Sequence, residues 1–315
     1  MEAVINMKLI VPDYYPQFQC IAGACKHSCC IGWEIDIDPD KLDTYKNAQG
    51  SIGARLRESI DFDCDCPHFI TDENHRCPFL NKENLCDLIL ELGEEALCDI
   101  CNMHPRFRND FADRTEMGLG LCCEEAARLM LTQEAPMTFL TLEDDGCDDR
   151  PEEDEAYLYA LRRNALAIAQ DREFTVSERM EHLADFFDFP LPAPDPKHWA
   201  EVFLNLERLD EAWTDVVKSL QSDFSPKTFP QWETAFEQLL VYFLFRHLPT
   251  ALWDGDAESK IAFAVLSVQL LIWLCSAKED VCFEDLLELA RMYASEIEYS
   301  DENPDVLFSL LGGEE

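Results

Sequence analysis

Residues 20–30 read CIAGACKHSCC, and this stretch decides how the front of the chain folds. It holds four cysteines, and soft metal ions such as zinc and iron bind several thiolates at about 2.3 Å from the metal. Adjacent cysteines do not easily point into one tetrahedral site, so Cys29 and Cys30 are expected to play different roles. The stretch therefore predicts a metal-binding loop and leaves the identity of the metal open.

The other cysteines are also concentrated in the front of the chain. Of 15 cysteines in 315 residues, twelve lie at or before residue 123. Residues 1–10 lack the apolar segment of a secretory signal, which predicts a cytoplasmic protein in a reducing compartment. Clustered thiols there ligate metal more often than they form disulfides.

The net charge of the chain disfavours some classes of binding partner and permits others. The chain has 25 basic and 64 acidic residues, a formal net charge of −39. Such a surface repels phosphates, so nucleic acid and anionic membranes are disfavoured as partners. Residues 1–123 hold 11 basic against 22 acidic side chains and the remainder 14 against 42. The acidity permits a cationic, lysine-bearing partner, or serves solubility alone.

The patterning predicts a mainly α fold, with a small cysteine-rich metal-binding module containing a few short strands packed on an all-α helical body. We expect a metal module at 1–140, an acidic linker at 141–155 and a helical domain at 156–315. In the module, alternation at 33–38 predicts a strand and Pro39 begins a helix. Further helices are predicted at 84–99, 123–131, 156–170, 198–220, 230–247, 258–277 and 283–297, and a capping box at Thr175–Glu178.

The most apolar stretch, residues 261–277, is shorter than the roughly 20 residues of a spanning helix. Its polar members and acidic flanks favour a buried core helix. The sequence thus predicts a soluble protein without a membrane partner.

Several motifs together resemble one known family, the flagellin lysine-N-methylases (FliB family). They are FQC at 18–20, CCIGWEI at 29–35, CPFL at 77–80, LC at 85–86, LGE at 92–94, HPR at 104–106 and CEEAAR at 123–128, with a similar helical stretch at 239–245. The front part is also similar to small zinc- or iron-chelating domains with a Cys-Cys pair. The resemblance extends over nearly the whole chain.

The resemblance implies N-methylation of lysine side chains on flagellin, with S-adenosylmethionine as methyl donor and an iron–sulfur cluster, [4Fe–4S], held by N-terminal cysteines. Zinc is the alternative metal. Eight cysteines match the family pattern: Cys20, Cys25, Cys29, Cys30, Cys77, Cys86, Cys101 and Cys123. A four-iron cluster takes four thiolates, so the family pattern does not show which four of these eight cysteines are the ligands. Of the seven cysteines outside the pattern, Cys64, Cys66, Cys98, Cys122 and Cys147 lie in the first half of the chain and have no assigned role.

The donor site must be unusual, since neither a Gly-rich nucleotide loop nor a CxxxCxxC signature is present. Arg106 is a candidate for the donor's carboxylate, or forms a salt bridge; Trp33 is a candidate for stacking on the sulfonium, or packs in the core. No catalytic residue is assigned. The alternative function is a non-enzymatic metal-chelating scaffold, and the oligomeric state is open.

Histidines near the cysteines are further candidate ligands. His27 and His104 either ligate metal or pack. His68 and His75 flank Cys64, Cys66 and Cys77 and with them can complete a mixed Cys/His zinc site.

Overall fold

A computed structural model describes residues 8–144, 146 and 150–312, and the chain divides into two compact units. The helical unit comprises residues 1–18, 108–122 and 126–315, and the cysteine-rich unit comprises 19–107 and 123–125. Most of the described residues in regular structure are helical, which confirms the predicted mainly α class.

The cysteine-rich unit is smaller than the module predicted at 1–140, because the strands on either side of it belong to the helical unit. Residues 141–155, predicted as a linker, include the end of one strand and the start of a helix. Residues 145 and 147–149 of that run, with Cys147, lie outside the described residues.

The helical unit is built from long helices and a small sheet. Its helices are α5 (Glu124–Leu131, which begins in the cysteine-rich unit), α6 (Glu153–Ala169), α7 (Val176–Phe187), α8 (Pro196–Leu204), α9 (Glu211–Lys218), α10 (Glu233–His247), α11 (Ala251–Asp254), α12 (Ala257–Ala277), α13 (Phe283–Tyr293) and α14 (Asn303–Leu311). A π-helical segment, Ala294–Glu298, directly follows α13. At the start of α7, Thr175 and Glu178 form the predicted capping box.

The centre of the helical unit is the pair α10 and α12. α12 has the length and composition of a membrane span, but 83 % of its most apolar window is buried inside the protein. Phe243 on α10 meets Phe263 on α12 edge to face, with ring centroids 6.1 Å apart. Aromatic pairs of this kind add to the free energy gained from burial alone. α12 is therefore the predicted core helix.

The sheet has the strand order β4-β5-β1-β6, with strands β1 (Lys8–Pro12), β4 (Arg106–Asp110), β5 (Arg114–Leu119) and β6 (Phe139–Glu143). β1 pairs in parallel with β5, where Lys8 is opposite Arg114, and antiparallel with β6. Distant segments of the chain thus meet on β1.

The cysteine-rich unit has short elements around its own core. They are α1 (Pro39–Asn47), α2 (Gly50–Glu58), β2 (Ile60–Asp61), β3 (His68–Phe69), α3 (Asp87–Leu92) and α4 (Asp99–Met103). The core joins apolar side chains with two buried thiols, and its largest members are Tyr45, Phe69 and Phe79. Tyr45 donates a hydrogen bond of 2.7 Å to the Ala96 carbonyl, so its buried hydroxyl is satisfied.

Some predicted elements differ from the structure. The strand predicted at 33–38 is an extended segment with one bridge, between Asp36 and His68, because its partner β3 is only two residues long. The helix predicted at 84–99 is interrupted at Gly93, whose φ of +91° no right-handed helix tolerates. The helix predicted at 198–220 is two helices, α8 and α9.

Candidate metal centre

All eight cysteines of the predicted metal set lie in the cysteine-rich unit. Seven come from residues 20–101, and Cys123 rejoins the unit with the first residues of α5. We divide these eight thiols and Cys98 into two groups by their surroundings, and the groups meet where Cys29 contacts Cys30. We call Cys20, Cys25, Cys29 and Cys123 the outer thiol group, and Cys30, Cys77, Cys86, Cys98 and Cys101 the inner thiol group.

The outer thiol group surrounds the loop that opens the unit. Cys29 is an exposed residue, although nearby protein atoms partly desolvate its thiol. Its contact with Cys30, and then this desolvation, raise its pKa, and Cys20 and Cys123 are close enough to repel its thiolate. Burial also raises the pKa of Cys25 to about 11, with Glu124 and Cys123 adding repulsion. Cys29 thus has Cys20 and Cys123 as neighbours, and Cys25 has Cys123.

Glu124 holds the loop in place. Its Oε2 accepts a hydrogen bond of 2.8 Å from the Lys26 backbone N–H, and the Cys25 thiol lies 3.7 Å from the same oxygen. The Cys25 thiol also donates to the His27 carbonyl at 3.3 Å. Since Glu124 directly follows Cys123 on α5, this contact fixes the distant cysteine against the loop.

The inner thiol group belongs to the apolar core of the unit. Cys77 and Cys98 are buried, and Cys30, Cys86 and Cys101 pack against the same core. Burial raises the pKa of Cys77 to about 12, and repulsion from the neighbouring thiols of Cys30, Cys86 and Cys98 acts in the same direction.

Two hydrogen-bonded thiol pairs set the charges inside this unit. Cys29 and Cys30 form one pair, and the hydrogen bond from Cys29 lowers the pKa of Cys30 to about 7. Cys98 and Cys101 form the other, which lowers the pKa of Cys98 and raises that of Cys101. Cys29 is exposed whereas Cys30 packs against the core, so the two adjacent cysteines have different surroundings.

Cys98 was absent from the predicted metal set, and the structure places it in the inner thiol group. Its spacing from Cys101, CxxC across the start of α4, is a signal that the sequence carried. Cys122 lies in the helical unit, where its thiol hydrogen bonds to the Tyr299 side chain. Burial is the main cause that raises the pKa of Tyr299, and Cys122 raises it further.

The two candidates for donor binding are both neighbours of His104. The Trp33 ring lies 5.8 Å from the His104 ring, and its indole N–H donates to the Cys29 carbonyl. Burial, with the positive charge of Arg106, lowers the pKa of His104 to about 4. Arg106 donates from Nη1 to the Asn102 carbonyl at 3.2 Å. Trp33, His104 and Arg106 thus share one neighbourhood beside the outer thiol group.

The remaining histidine candidates have different surroundings. His75 is exposed, with a φ of +54°, and its backbone N–H donates to the Asp72 carbonyl. His68 is half-buried, and its Nδ1 lies 3.6 Å from the Cys64 Sγ. His27 is exposed on the outer loop.

The helical unit holds a buried polar network that the sequence did not reveal. Glu298, at the end of the π-helical segment, accepts hydrogen bonds from the Tyr242 hydroxyl at 2.8 Å and from His247 at 2.6 Å. Arg246 lies 3.3 Å from the same carboxylate and donates to the Tyr242 hydroxyl. Every polar side chain in this network has a partner, so the network joins α10 to the π-helical segment.

Comparison with known proteins relates the helical unit to a family. Residues 196–314 match the model of the FliB lysine N-methylase C-terminal domain. The chain is 25 % identical over 126 residues to lysine-N-methylases of Salmonella typhimurium and Salmonella choleraesuis, an alignment that covers 38 % of this chain. It is also 25 % identical over 126 residues to the flagellar biosynthetic protein FliU of Salmonella muenchen, of which it covers 75 %.

The chain spans 31 % of the length of the two lysine-N-methylases. No solved structure matches the chain. These comparisons confirm the resemblance to the FliB family that the sequence predicts.

Proposed function

We propose that the protein N-methylates lysine side chains of a protein substrate, as the names of its relatives indicate for them. The observation that carries this proposal is the FliB lysine N-methylase C-terminal domain at residues 196–314. The relative named as a flagellar biosynthetic protein supports flagellin as the substrate. We place the protein in the cytoplasm, where unassembled substrate and methyl donor are both available.

The proposed reaction is a methyl transfer from S-adenosylmethionine. The neutral lysine Nζ attacks the methyl carbon, the new N–C bond forms as the C–S bond breaks, and S-adenosylhomocysteine leaves. The methylated nitrogen carries the charge that the sulfonium loses. Lysine is protonated at neutral pH, so its proton must first pass to a base or its pKa must fall through desolvation.

Trp33 and Arg106 are the residues that we propose for binding the donor. An indole face attracts a cationic sulfonium, and a guanidinium binds a carboxylate with two parallel hydrogen bonds. S-adenosylmethionine carries both a sulfonium and a carboxylate. That both side chains neighbour His104, and that Trp33 hydrogen bonds to the Cys29 carbonyl, supports one shared site.

The outer thiol group fits an iron–sulfur cluster. Cys20, Cys25 and Cys29 come from one short loop and Cys123 from a distant segment, and plant-type ferredoxins likewise take three ligands from a short loop and a fourth from afar. Four thiols of this kind match the four that a [4Fe–4S] cluster needs. When bound, the cluster supplies an iron centre next to the proposed donor site. In this proposal the inner thiol group stabilises the core, and zinc is the alternative metal.

The test is methylation by the full chain. The protein is purified without oxygen, supplied with iron and sulfide, and incubated with flagellin and S-adenosylmethionine, and the flagellin is weighed by mass spectrometry. We expect mass increments of whole methyl groups. A Trp33→Ala variant should show a higher KM for the donor, and Cys282→Ser, a change of an exposed thiol outside both groups, should behave as the parent.

Unchanged flagellin mass, with the metal retained, would contradict the proposal. It would favour the second function, a metal-chelating scaffold without enzymatic activity.

A further inference from the structure

A third set of metal-ligating side chains lies in the cysteine-rich unit, apart from the two thiol groups. Its members are Glu34, Asp36, Cys64, Cys66 and His68. Residues 34–37 are extended and His68–Phe69 form β3, so successive side chains there point to opposite faces, whereas Cys64 and Cys66 lie in a bend between β2 and β3. Ile35, Ile37 and Phe69 are buried in the core, which leaves Glu34, Asp36 and His68 on the outer face.

The backbone fixes these two segments to each other. Ile37 donates a hydrogen bond of 2.8 Å to the Pro67 carbonyl, and Phe69 donates one of 3.0 Å to the Ile35 carbonyl. Asp36 and His68 form the antiparallel bridge between them. The facing side chains are thus positioned before any ligand binds.

The three outer side chains already have the spacing of metal ligands. One ligand atom each from Glu34, Asp36 and His68 lie within 4.8 Å of one another. His68 Nε2 is 3.6 Å from Glu34 Oε2. These contacts combine an imidazole with two carboxylates at one point of the surface.

Two thiols lie beside this set, outside the group of three whose ligand atoms are within 4.8 Å of one another. The Cys64 Sγ lies 3.6 Å from His68 Nδ1. A tetrahedral zinc ion with bonds of about 2.3 Å to sulfur and about 2.0 Å to nitrogen separates two such atoms by about 3.6 Å. The nearby Asp36 carboxylate, with the charges of Cys64 and Glu34, raises the pKa of the exposed Cys66 thiol.

We propose that Cys64, Cys66, His68 and Asp36 bind one divalent transition-metal ion of the zinc class. His68 ligates through Nδ1, and Glu34 accepts the proton of Nε2, the common arrangement in which a carboxylate orients a metal-bound histidine. Two thiolates, one imidazole and one carboxylate suit zinc better than an iron–sulfur cluster, which prefers four thiolates. Binding releases the two thiol protons and ties the loop at 61–67 to the segment at 34–36.

The test separates this site from the thiol groups by the atoms around the metal. The full chain is loaded with one equivalent of zinc, and X-ray absorption at the zinc edge gives its ligands. We expect about two sulfur ligands at about 2.3 Å and about two nitrogen or oxygen ligands at about 2.0 Å. A shell of four sulfurs would place the zinc in a thiol group and overturn the proposal.

Variants supply a second readout. His68→Ala and Cys64→Ser should each weaken zinc binding at least tenfold, measured by competition with a chelator, and leave the iron content unchanged. His75→Ala is the matched control, because this exposed histidine lies outside the site. Circular dichroism checks that each variant is folded. Equal loss of zinc in His75→Ala, or unchanged zinc affinity in a folded His68→Ala variant, would contradict the site. The readout does not depend on methylase activity.

Discussion

His247 donates a hydrogen bond of 2.6 Å from Nε2 to Oε1 of Glu298, and both side chains are buried in the helical unit. This bond joins α10 to the π-helical segment. Burial alone would raise the pKa of Glu298, but Arg246, His247 and Tyr242 lower it below its usual value. The Glu298 carboxylate therefore stays ionised inside the protein. The stability of the helical unit depends on the side chains that pair with this carboxylate.

Removing the charge of Glu298 should destabilise the protein strongly. In Glu298→Gln the largely buried Arg246, whose side chain is 13 % exposed, loses its counter-charge. Breaking a buried ion pair on one side costs about 3–5 kcal/mol. Urea unfolding of each variant measures its free energy of unfolding. Glu302→Gln, which changes an exposed acid nearby, is the control and should shift stability by less than about 0.5 kcal/mol. Equal stability of the two variants would show that the network contributes nothing.

Acidification should also weaken the fold through His247. Burial lowers the pKa of His247 below its usual 6.5, although Glu298 opposes this shift. The unfolded chain therefore binds the proton more readily than the folded one, so stability present above the usual pKa is lost as pH falls through and below 6.5. Below the usual carboxylate pKa of 4.5, protonation of Glu298 adds to the loss.

The measurement compares urea unfolding of the parent and of His247→Gln at several pH values between about pH 5 and pH 8. Glutamine keeps a donor for Glu298 but does not titrate, so its stability should depend less on pH in this window. Identical pH profiles for the two proteins would exclude His247 as the titrating group.

A second buried ion pair joins Glu116 and Arg162, and we expect the effects of replacing them on stability to be coupled. Arg162 on α6 donates two hydrogen bonds of 2.6 Å to Glu116 on β5, and both side chains are buried. Glu116→Gln should cost about 3–5 kcal/mol, because it leaves a buried guanidinium without a counter-charge. The double replacement Glu116→Leu with Arg162→Met should recover part of that loss, because Arg114 also loses its contact with Glu116. Additive effects in a double-mutant cycle would contradict the coupling.

Iron content should distinguish the outer from the inner thiol group. After anaerobic purification and loading with iron and sulfide, Cys29→Ser should lose most of the bound iron and its visible absorption, because serine is a poor iron ligand. Cys98→Ser should retain the iron and lower the unfolding free energy, since Cys98 lies in the core. The reverse pattern would assign the cluster to the inner thiol group.

Salt should weaken binding of a lysine-bearing substrate. The part of the chain after residue 123 has 42 acidic and 14 basic residues, so a cationic partner is attracted to it. Added salt screens exposed charges beyond a Debye length of about 8 Å at physiological ionic strength. The KM for flagellin should rise with salt while kcat changes little. A KM independent of salt would leave solubility as the only role of the acidity.

The regular elements were the part of the fold that the sequence predicted best. α10 and α12 are continuous apolar helices because nearly every position on them is buried, and Thr175 with Glu178 gives a local capping signal. Prediction from periodicity was wrong where a single backbone angle interrupts a helix, as in the helix predicted at 84–99. Gly93 ends the helical pattern that begins near residue 84, through a positive φ that the pattern does not encode.

By itself, the sequence determined the resemblance to the FliB family, the mainly α class and the eight cysteines that match the family pattern. Only the tertiary structure decided how the thiols are divided, why Cys98 joins Cys30 and Cys77, and how Cys123 returns to the loop at 20–30. The spacing of residues along a chain specifies neighbours only within a local element. Contacts between distant segments depend on which apolar faces pack together, as the core beneath Cys30 and the backbone bridge between Asp36 and His68 both show.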